Sequence, residues 1–521
     1  MDVIVVGAGP VGLMLACELR LHGIRTLVLD RLDAPTGLSK ALNLHPRSVD
    51  TFAMRGLLDR FEDAPRLPLQ HFAGMRLLDL TRTRTPHPYG LLVPQARVEE
   101  VLEKRALELG AEIRRGCAVT GLAQDESGVT VETGDGTTFR ASWLAGCDGG
   151  RSTVRKLAGI AFPGTAATLA GYVGDVVVTG GTATGWVRSG SGLLLWPFIG
   201  PGGATRILTV DYGRTHDDRD APVTIEEFGA SVRRHLGGRA PEIAEAVWLS
   251  RFSDAARQAE RYRAGRVFLA GDAAHVHMPF GGQGMNTGLQ DAANLGWKLA
   301  LAVRGRAPDG LLDTYHAERH PVAASVLENT LQQVTLGAPD DGTTRLRDLF
   351  AQLMTVPEAN RLLAEDVSAV SVRYEGGGHP LVGAYMPEAL RLDDGRGLLV
   401  TPDGGPAAQE TAQKAARWAG RVRVTRGAAG LLVRPDGYVA WAEPCEEPLE
   451  AALTRWFGPA QASVGVSLRL FRDEDPHGDV DHPERAGDER QQQPEDADEG
   501  RGQAHLVGEP AADAGQNPVL P

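Results

Sequence analysis

Cysteine is scarce in this chain, with four residues in 521, and Cys17, Cys117, Cys147 and Cys445 form no CxxC pair. That spacing excludes a disulfide framework and a cysteine-held zinc as sources of stability, and it suits a reducing compartment, so a cytoplasmic location is expected. No run approaches the roughly 18 consecutive apolar residues of a membrane span. The apolar start at Val3 lacks a basic flank and is broken by Gly9-Pro10, which argues against a secretory signal. A basic excess is missing too. The formal charge is −13, but residues 473–521 hold 14 acids against 3 arginines, so the preceding 472 residues are nearly neutral. Nucleic acid, which usually needs a basic stripe, is therefore not an expected partner. Nothing in the sequence specifies an oligomeric state.

What is present fits a soluble globular enzyme: 42% hydrophobic and 23% charged residues. The length exceeds what one hydrophobic core supports, so two or three domains are expected. Val3–Val6, the glycine-rich turn GAGPVG, an amphipathic stretch to Leu21 and the apolar Thr26–Leu29 read as strand, turn, helix, strand. A helical period over 94–110, and strands leading into CDGGRSTVR, continue a parallel α/β pattern through residue 170. Residues 171–262 turn to Val- and Leu-rich segments broken by glycine, which predicts an antiparallel sheet. RVFLA at Arg266–Ala270 and the long helix Met285–Val303 return the chain to its first domain over 263–378. A further α/β segment spans 379–460, with the turn Arg434-Pro435-Asp436-Gly437 between two strands. Residues 461–521 are acidic, have little to bury, and are expected to be disordered.

Gly7, Gly9 and Gly12 form GxGxxG, whose glycines allow a tight turn, close approach of backbone to a pyrophosphate, and close helix–strand packing. The helix start near Val11 offers free N–H groups and a positive dipole end to phosphate. Asp30, ending the next strand, suits a ribose hydroxyl, so an adenine dinucleotide is expected. Asp148, at the strand-to-helix turn of LAGCDGGRSTVR, reads either as a phosphate or ribose ligand or as a helix cap shared with Ser152. His275 and His277 lie on one face if extended, but no third ligand follows by spacing. They are read as structural, and no metal is expected.

The combination GAGPVG, Asp30, CDGGRS and GD-x(6)-P-x-GGQG-MN resembles the flavoprotein aromatic hydroxylases, single-component FAD monooxygenases of the para-hydroxybenzoate hydroxylase type. Within them, LSKALNLHPRSVDTF, HPYGLLVPQ, FPGTAAT and LLDTYHAERHPVA look like the actinomycete hydroxylases of angucycline, anthracycline and tetracycline polyketides. The likeness runs from Met1 to about Pro459. It implies a Rossmann-like FAD-binding domain with an inserted antiparallel-sheet substrate domain, and a thioredoxin-like domain lacking redox cysteines. It further implies that Asp272 binds the ribityl chain, that Gly282, Gly284, Met285 and Asn286 lie against the flavin, and that Gln95 and Val119 make further contacts. Lys40 stands where many relatives carry arginine, which keeps a cation and loses a bidentate grip.

The activity so implied is NADPH- or NADH-driven reduction of FAD, reaction with O2 to a flavin C4a-hydroperoxide, and oxygen transfer to a polycyclic phenol. Baeyer–Villiger insertion, drug inactivation and non-catalytic polyketide binding share the motifs. The WxWxIP signature of flavin halogenases is not matched by LLWPFI. Trp196, Phe198, Pro279 and Phe280 are candidates for an aromatic substrate pocket, with a core role equally open for the aromatic three. No general base is assigned.

Overall fold

The computed structural model describes residues 1–461 except 183, 197–203, 217, 219, 220, 375, 377, 387, 403 and 404. The acidic segment expected to be disordered thus lies outside the described residues, apart from Gln461.

The first sheet has six strands, in the order Arg263–Ala264, Val267–Leu269, Trp143–Gly146, Val3–Val6, Thr26–Leu29 and Glu112–Arg114. All pairings are parallel except that of the short edge strand Arg263–Ala264. Val3–Val6 and Thr26–Leu29 are buried at every position, as strands covered on both faces must be. The helices Pro10–Leu21 and Gln283–Val303 pack against each other, with Val11 seated over Gly271 and Gly288. Strand register sets where the connecting turns emerge. Val6 lies opposite Leu29 and Gly146, and Gly146 opposite Leu269. Gly7, Asp30, Asp148 and Asp272 therefore leave the sheet at one carboxyl edge, where open parallel sheets bind ligands.

The second sheet is antiparallel, in the order Gly185–Ser189, Gly192–Trp196, Thr205–Tyr212, Leu169–Thr179, Glu242–Phe252. Helix Ile225–Leu236, started by Thr224 accepting from the Glu227 N–H, covers one face and buries Phe228, Val232 and Leu236 against Tyr172, Val176 and Ile207. The other face meets the loop Met278–Phe280 through Leu169, Leu193 and Val210. A four-stranded mixed sheet, Val422–Gly427, Gly397–Pro402, Leu431–Val433 and Val439–Ala442, is followed by the helix Leu449–Phe457. Among the described residues no helix is long and apolar enough to cross a membrane.

Candidate active site

The turn after the first strand is built by exclusion. Gly7 has φ +106°, and a β-carbon there would overlap the Cys147 carbonyl. One on Gly12 would overlap the Gly7 carbonyl oxygen, so the helix can start this close to the strand only without a side chain. Gly9 differs: nothing lies within 4 Å of where its β-carbon would stand. Two glycines serve the protein's own packing, and the third leaves open space at the helix start. That start has no side-chain cap, and Pro10 fills a position whose N–H would be free anyway. Asp30 accepts from the Ala8 N–H at 2.6 Å and from the Leu32 N–H at 2.8 Å, which fixes its carboxylate beside the same turn. The buried Val119 lies two residues after Cys117, whose N–H bonds the Asp30 carbonyl.

Asp148 shows the capping role among its expected ones. Its carboxylate accepts from Ser152 Oγ at 2.5 Å and from the Thr153 and Val154 N–H groups at 2.7 and 3.1 Å, while Ser152 Oγ accepts from the Arg155 N–H. Three donors from the start of the next helix hold it, so its side chain caps that helix. Asp272 is the reverse. It is exposed, and no donor among the described residues reaches its carboxylate.

Next to Asp272 a second helix begins bare. Gly281 and Gly282 take φ of +76° and +67°, and Gln283–Val303 starts from Gly282 with no side-chain cap. Its first turn therefore presents free N–H groups with the helix dipole behind them. Asn286 does not face outward: its Oδ1 accepts from the His45 N–H at 2.8 Å, and its Nδ2 donates to the Asn43 and Gly282 carbonyls. Side chain and backbone thus divide the work there. Gly284 lies between His277 and Asp272, 3.6 and 3.9 Å from the position of an added β-carbon. His277 Nε2 is buried without a partner. An unanswered nitrogen, a carboxylate without donors and two bare helix starts fit a large dinucleotide with an attached ring. Exchanging Asp272 for Asn should weaken FAD binding by about tenfold, because a charge-assisted bond worth roughly 1.5–3 kcal/mol becomes neutral. Titration of the apoprotein by flavin fluorescence quenching measures this.

His275 does other work. Its Nε2 lies 2.7 Å from Asp291 Oδ2, which also accepts from the Gly271 N–H, while Arg319 Nε bonds Asp291 Oδ1 at 2.7 Å. All three side chains are buried. Burial alone would raise the Asp291 carboxyl, but Arg319 and His275 outweigh it and hold it low. The ion pair thus anchors the turn that presents Asp272. Sequence reading missed Asp291 and Arg319; Asp291 lies five residues past the end of the GD-x(6)-P-x-GGQG-MN motif.

Lys40 is exposed. Arg206, paired with Asp175 through two 2.8 Å bonds, donates to the Ser39 and Lys40 carbonyls, so the second sheet holds the loop that carries Lys40. Gln95 braces the same loop by exchanging bonds with the Ala41 backbone.

Among the pocket candidates, strand alternation separates what sequence could not. Trp196 points to the helix face, buried with Phe228, and its Nε1 donates to Thr205 Oγ1 at 3.0 Å. It is a core residue, which corrects its assignment to the pocket. Phe198 lies outside the described residues. Pro279 is exposed, and Phe280 is buried on the other face. There Trp186 meets Phe280 edge-on at 6.2 Å and His71 at 4.6 Å. Burial lowers the His71 pKa to about 4, with His45 adding to it, so the ring is neutral at pH 7. Trp186 and His71 went unnoticed because only the register, Trp186 opposite Leu195, shows which face each residue takes. Trp186→Ala should raise KM for an aromatic substrate about tenfold with little loss of stability, whereas Trp196→Ala should cost about 3–5 kcal/mol and leave KM nearly unchanged. Steady-state kinetics and thermal melts of both variants distinguish the roles.

Comparison with known proteins places the chain in a family. Residues 1–330 match the family model described as FAD binding domain, and residues 379–460 match that of the aromatic-ring hydroxylase C-terminal segment. The chain is 46% identical over 483 residues to a rifampicin monooxygenase of Streptomyces venezuelae, covering 88% of this chain and 99% of the relative. It is 39% identical over 469 residues to a dialkyldecalin synthase of Streptomyces rugosporus, with the same coverage. The solved OxyS anhydrotetracycline hydroxylase from Streptomyces rimosus superposes with a TM-score of 0.81 at 44% identity, over 88% of this chain and 99% of that one.

Proposed function

The chain belongs to the FAD-binding family of aromatic-ring hydroxylases, and from that premise we propose that it hydroxylates a polycyclic phenol of polyketide type, with NADPH as reductant and O2 as co-substrate. It is an FAD-dependent monooxygenase, and a cytoplasmic setting suits its four free cysteines. The observation that carries the reading is the convergence, at one sheet edge, of two bare helix starts with the donor-free Asp272, next to a loop whose Phe280 meets Trp186.

When bound, FAD supplies the two-electron redox chemistry and the activation of O2. The chain supplies the rest. Gly9 and the N–H groups after it would hold the pyrophosphate, Asp30 a ribose, and Asp272 the ribityl hydroxyls. The first turn of Gln283–Val303, which starts without a side-chain cap, would direct its positive helix end at a bound flavin and favour negative charge on it. Trp186 and Phe280 form an apolar wall that excludes water and holds a flat substrate.

The test is NADPH oxidation in air by the FAD-loaded protein, with and without tricyclic and tetracyclic phenols and a rifamycin. Ligand-stimulated oxidation and a product heavier by one oxygen support the proposal, and product structure separates ring hydroxylation from lactone formation. The 39% identity to a dialkyldecalin synthase motivates a second reading, a flavoprotein that shapes a polyketide without consuming electrons. Ligand conversion that needs neither NADPH nor O2 would favour it.

A further inference from the structure

The hairpin of Leu69–Phe72 and Met75–Asp79 turns through Ala73 and Gly74, at φ of +48° and +78°. Positive φ suits Gly74 and costs Ala73, which carries a β-carbon, on the order of 1 kcal/mol. The surroundings hold the turn in place: the Ala73 N–H donates to Gln333 Oε1 at 3.1 Å, and its carbonyl accepts from Arg347 at 2.9 Å. The tip is thereby pressed onto Trp186, so closely that a β-carbon on Gly74 would stand 3.1 Å from the indole.

The strand leading to that tip does not alternate regularly. Its register slips between Gln70 and His71, and an irregularity of this kind re-aims side chains. Consecutive residues accordingly serve one loop: Gln70 Nε2 donates to the Gly281 carbonyl at 2.9 Å, while the His71 ring lies 4.6 Å from Trp186, which meets Phe280. Gln70 is saturated. Its Oε1 accepts from the His71 N–H at 3.0 Å, and its Nε2 also lies 3.1 Å from His45 Nε2, which is left to accept because His45 Nδ1 donates to the Val367 carbonyl. The His45 N–H in turn bonds Asn286, so the hairpin is fastened to the bare helix start. The His71 ring is not saturated: its Nδ1 is buried and has no partner among the described residues. A buried polar atom left unpaired costs about 1–3 kcal/mol, and this one stands beside an aromatic wall.

We propose that His71 reads the substrate, its Nδ1 accepting a hydrogen bond from a phenolic hydroxyl of the flat ring system held by Trp186 and Phe280. This rests on the aromatic-substrate reading given under the proposed function. Stacking on an apolar wall leaves a flat molecule free to rotate in its own plane, and one directed bond fixes that rotation. Burial holds the His71 pKa at about 4, with His45 and Arg76 adding to it, so the ring stays neutral and able to accept at neutral pH. The hydroxyl keeps its proton. Sharing that proton with the imidazole leaves more electron density on the phenol ring, which favours its oxidation.

The test uses FAD-loaded protein and the tetracyclic phenol that most stimulates NADPH oxidation, together with its methyl ethers, one for each hydroxyl. Dissociation constants come from the change in flavin absorbance in the absence of NADPH. His71→Phe should weaken the parent phenol about tenfold, with flavin content and melting temperature unchanged, and His71→Asn, which keeps an acceptor, should recover most of the loss. One methyl ether should bind wild type as weakly as the parent binds His71→Phe, and should bind both proteins alike. In turnover, His71→Phe should consume more NADPH per product and give a mixture of hydroxylated positions. Parent binding to His71→Phe as tight as to wild type, or an equal loss for the parent and every ether, overturns the proposal while leaving the monooxygenase reading intact. A wild type that no phenol stimulates removes that reading, and this proposal with it.

Discussion

Gly12→Val should yield a protein that neither holds FAD nor reaches the wild-type melting temperature, whereas Gly9→Val should lose FAD alone. The difference lies in what each new side chain meets. At Gly12 the β-carbon overlaps the Gly7 carbonyl oxygen, a backbone atom fixed by the strand, so the helix start must move away from the sheet. At Gly9 the backbone has an ordinary φ of −81°, and nothing lies within 4 Å of the added carbon. Gly9→Val therefore intrudes only on what occupies that space, which the proposed function assigns to the pyrophosphate. Both variants should weaken FAD at least 100-fold, about 2.7 kcal/mol or more. Only Gly12→Val should also lower the melting temperature of the apoprotein. If Gly9→Val binds FAD normally, the pyrophosphate does not lie at this turn.

The second large effect is expected where the last sheet meets the helices of the first domain. Arg434, at the tip of a hairpin in the last sheet, is buried, with two bonds of 2.5 and 2.8 Å to Glu318 and further bonds to Asp436. Lys298 donates to Glu318 at 2.6 Å, and Asn294 bonds both acids. Next to them Arg55 makes a two-point bond with Glu18 and donates to the Pro435 carbonyl. The hairpin turn is thus inserted among helices Pro10–Leu21, Pro46–Met54, Gln283–Val303 and Asp313–Gly337. Arg434→Met strands buried carboxylates and should cost about 3–5 kcal/mol. Adding Asp436→Asn should recover part of that loss, by about 0.5–3 kcal/mol of coupling, because one stranded charge goes too. Thermal or urea unfolding of the two variants gives both values.

The same cluster predicts an acid limit. Burial alone would raise the Glu318 carboxyl, but Arg434 and Lys298 outweigh it and hold it at about 2, below the ordinary 4.5. A carboxyl lowered on folding adds stability that is complete above pH 4.5 and fades as pH falls towards 2. Melting temperature plotted against pH should therefore fall less steeply over that window in Glu318→Gln than in wild type.

Much of this was determined locally. GAGPVG, Asp30 and GD-x(6)-P-x-GGQG-MN carry their meaning in sequence because each is a short backbone device: a turn that forbids side chains, a strand-end carboxylate, a helix start without a cap. The register of four parallel strands then had only to bring them to one edge. Whether Asp148 faces a cofactor or caps a helix was not so legible, since both roles need the same residue at the same turn. Trp186 and Trp196 lie ten residues apart in similar surroundings, and only strand pairing decides which faces the loop at Phe280 and which the covering helix. Likewise Arg434-Pro435-Asp436-Gly437 reads only as a turn between two strands, and folding buries Arg434 and Asp436 among charges from residues 18, 55, 298 and 318. By itself, then, the sequence determined the glycine turns and bare helix starts to which the proposed function assigns FAD, because they act through neighbours in the chain. The tertiary structure decided the faces and the buried ion pairs, because these depend on which distant segments pack together.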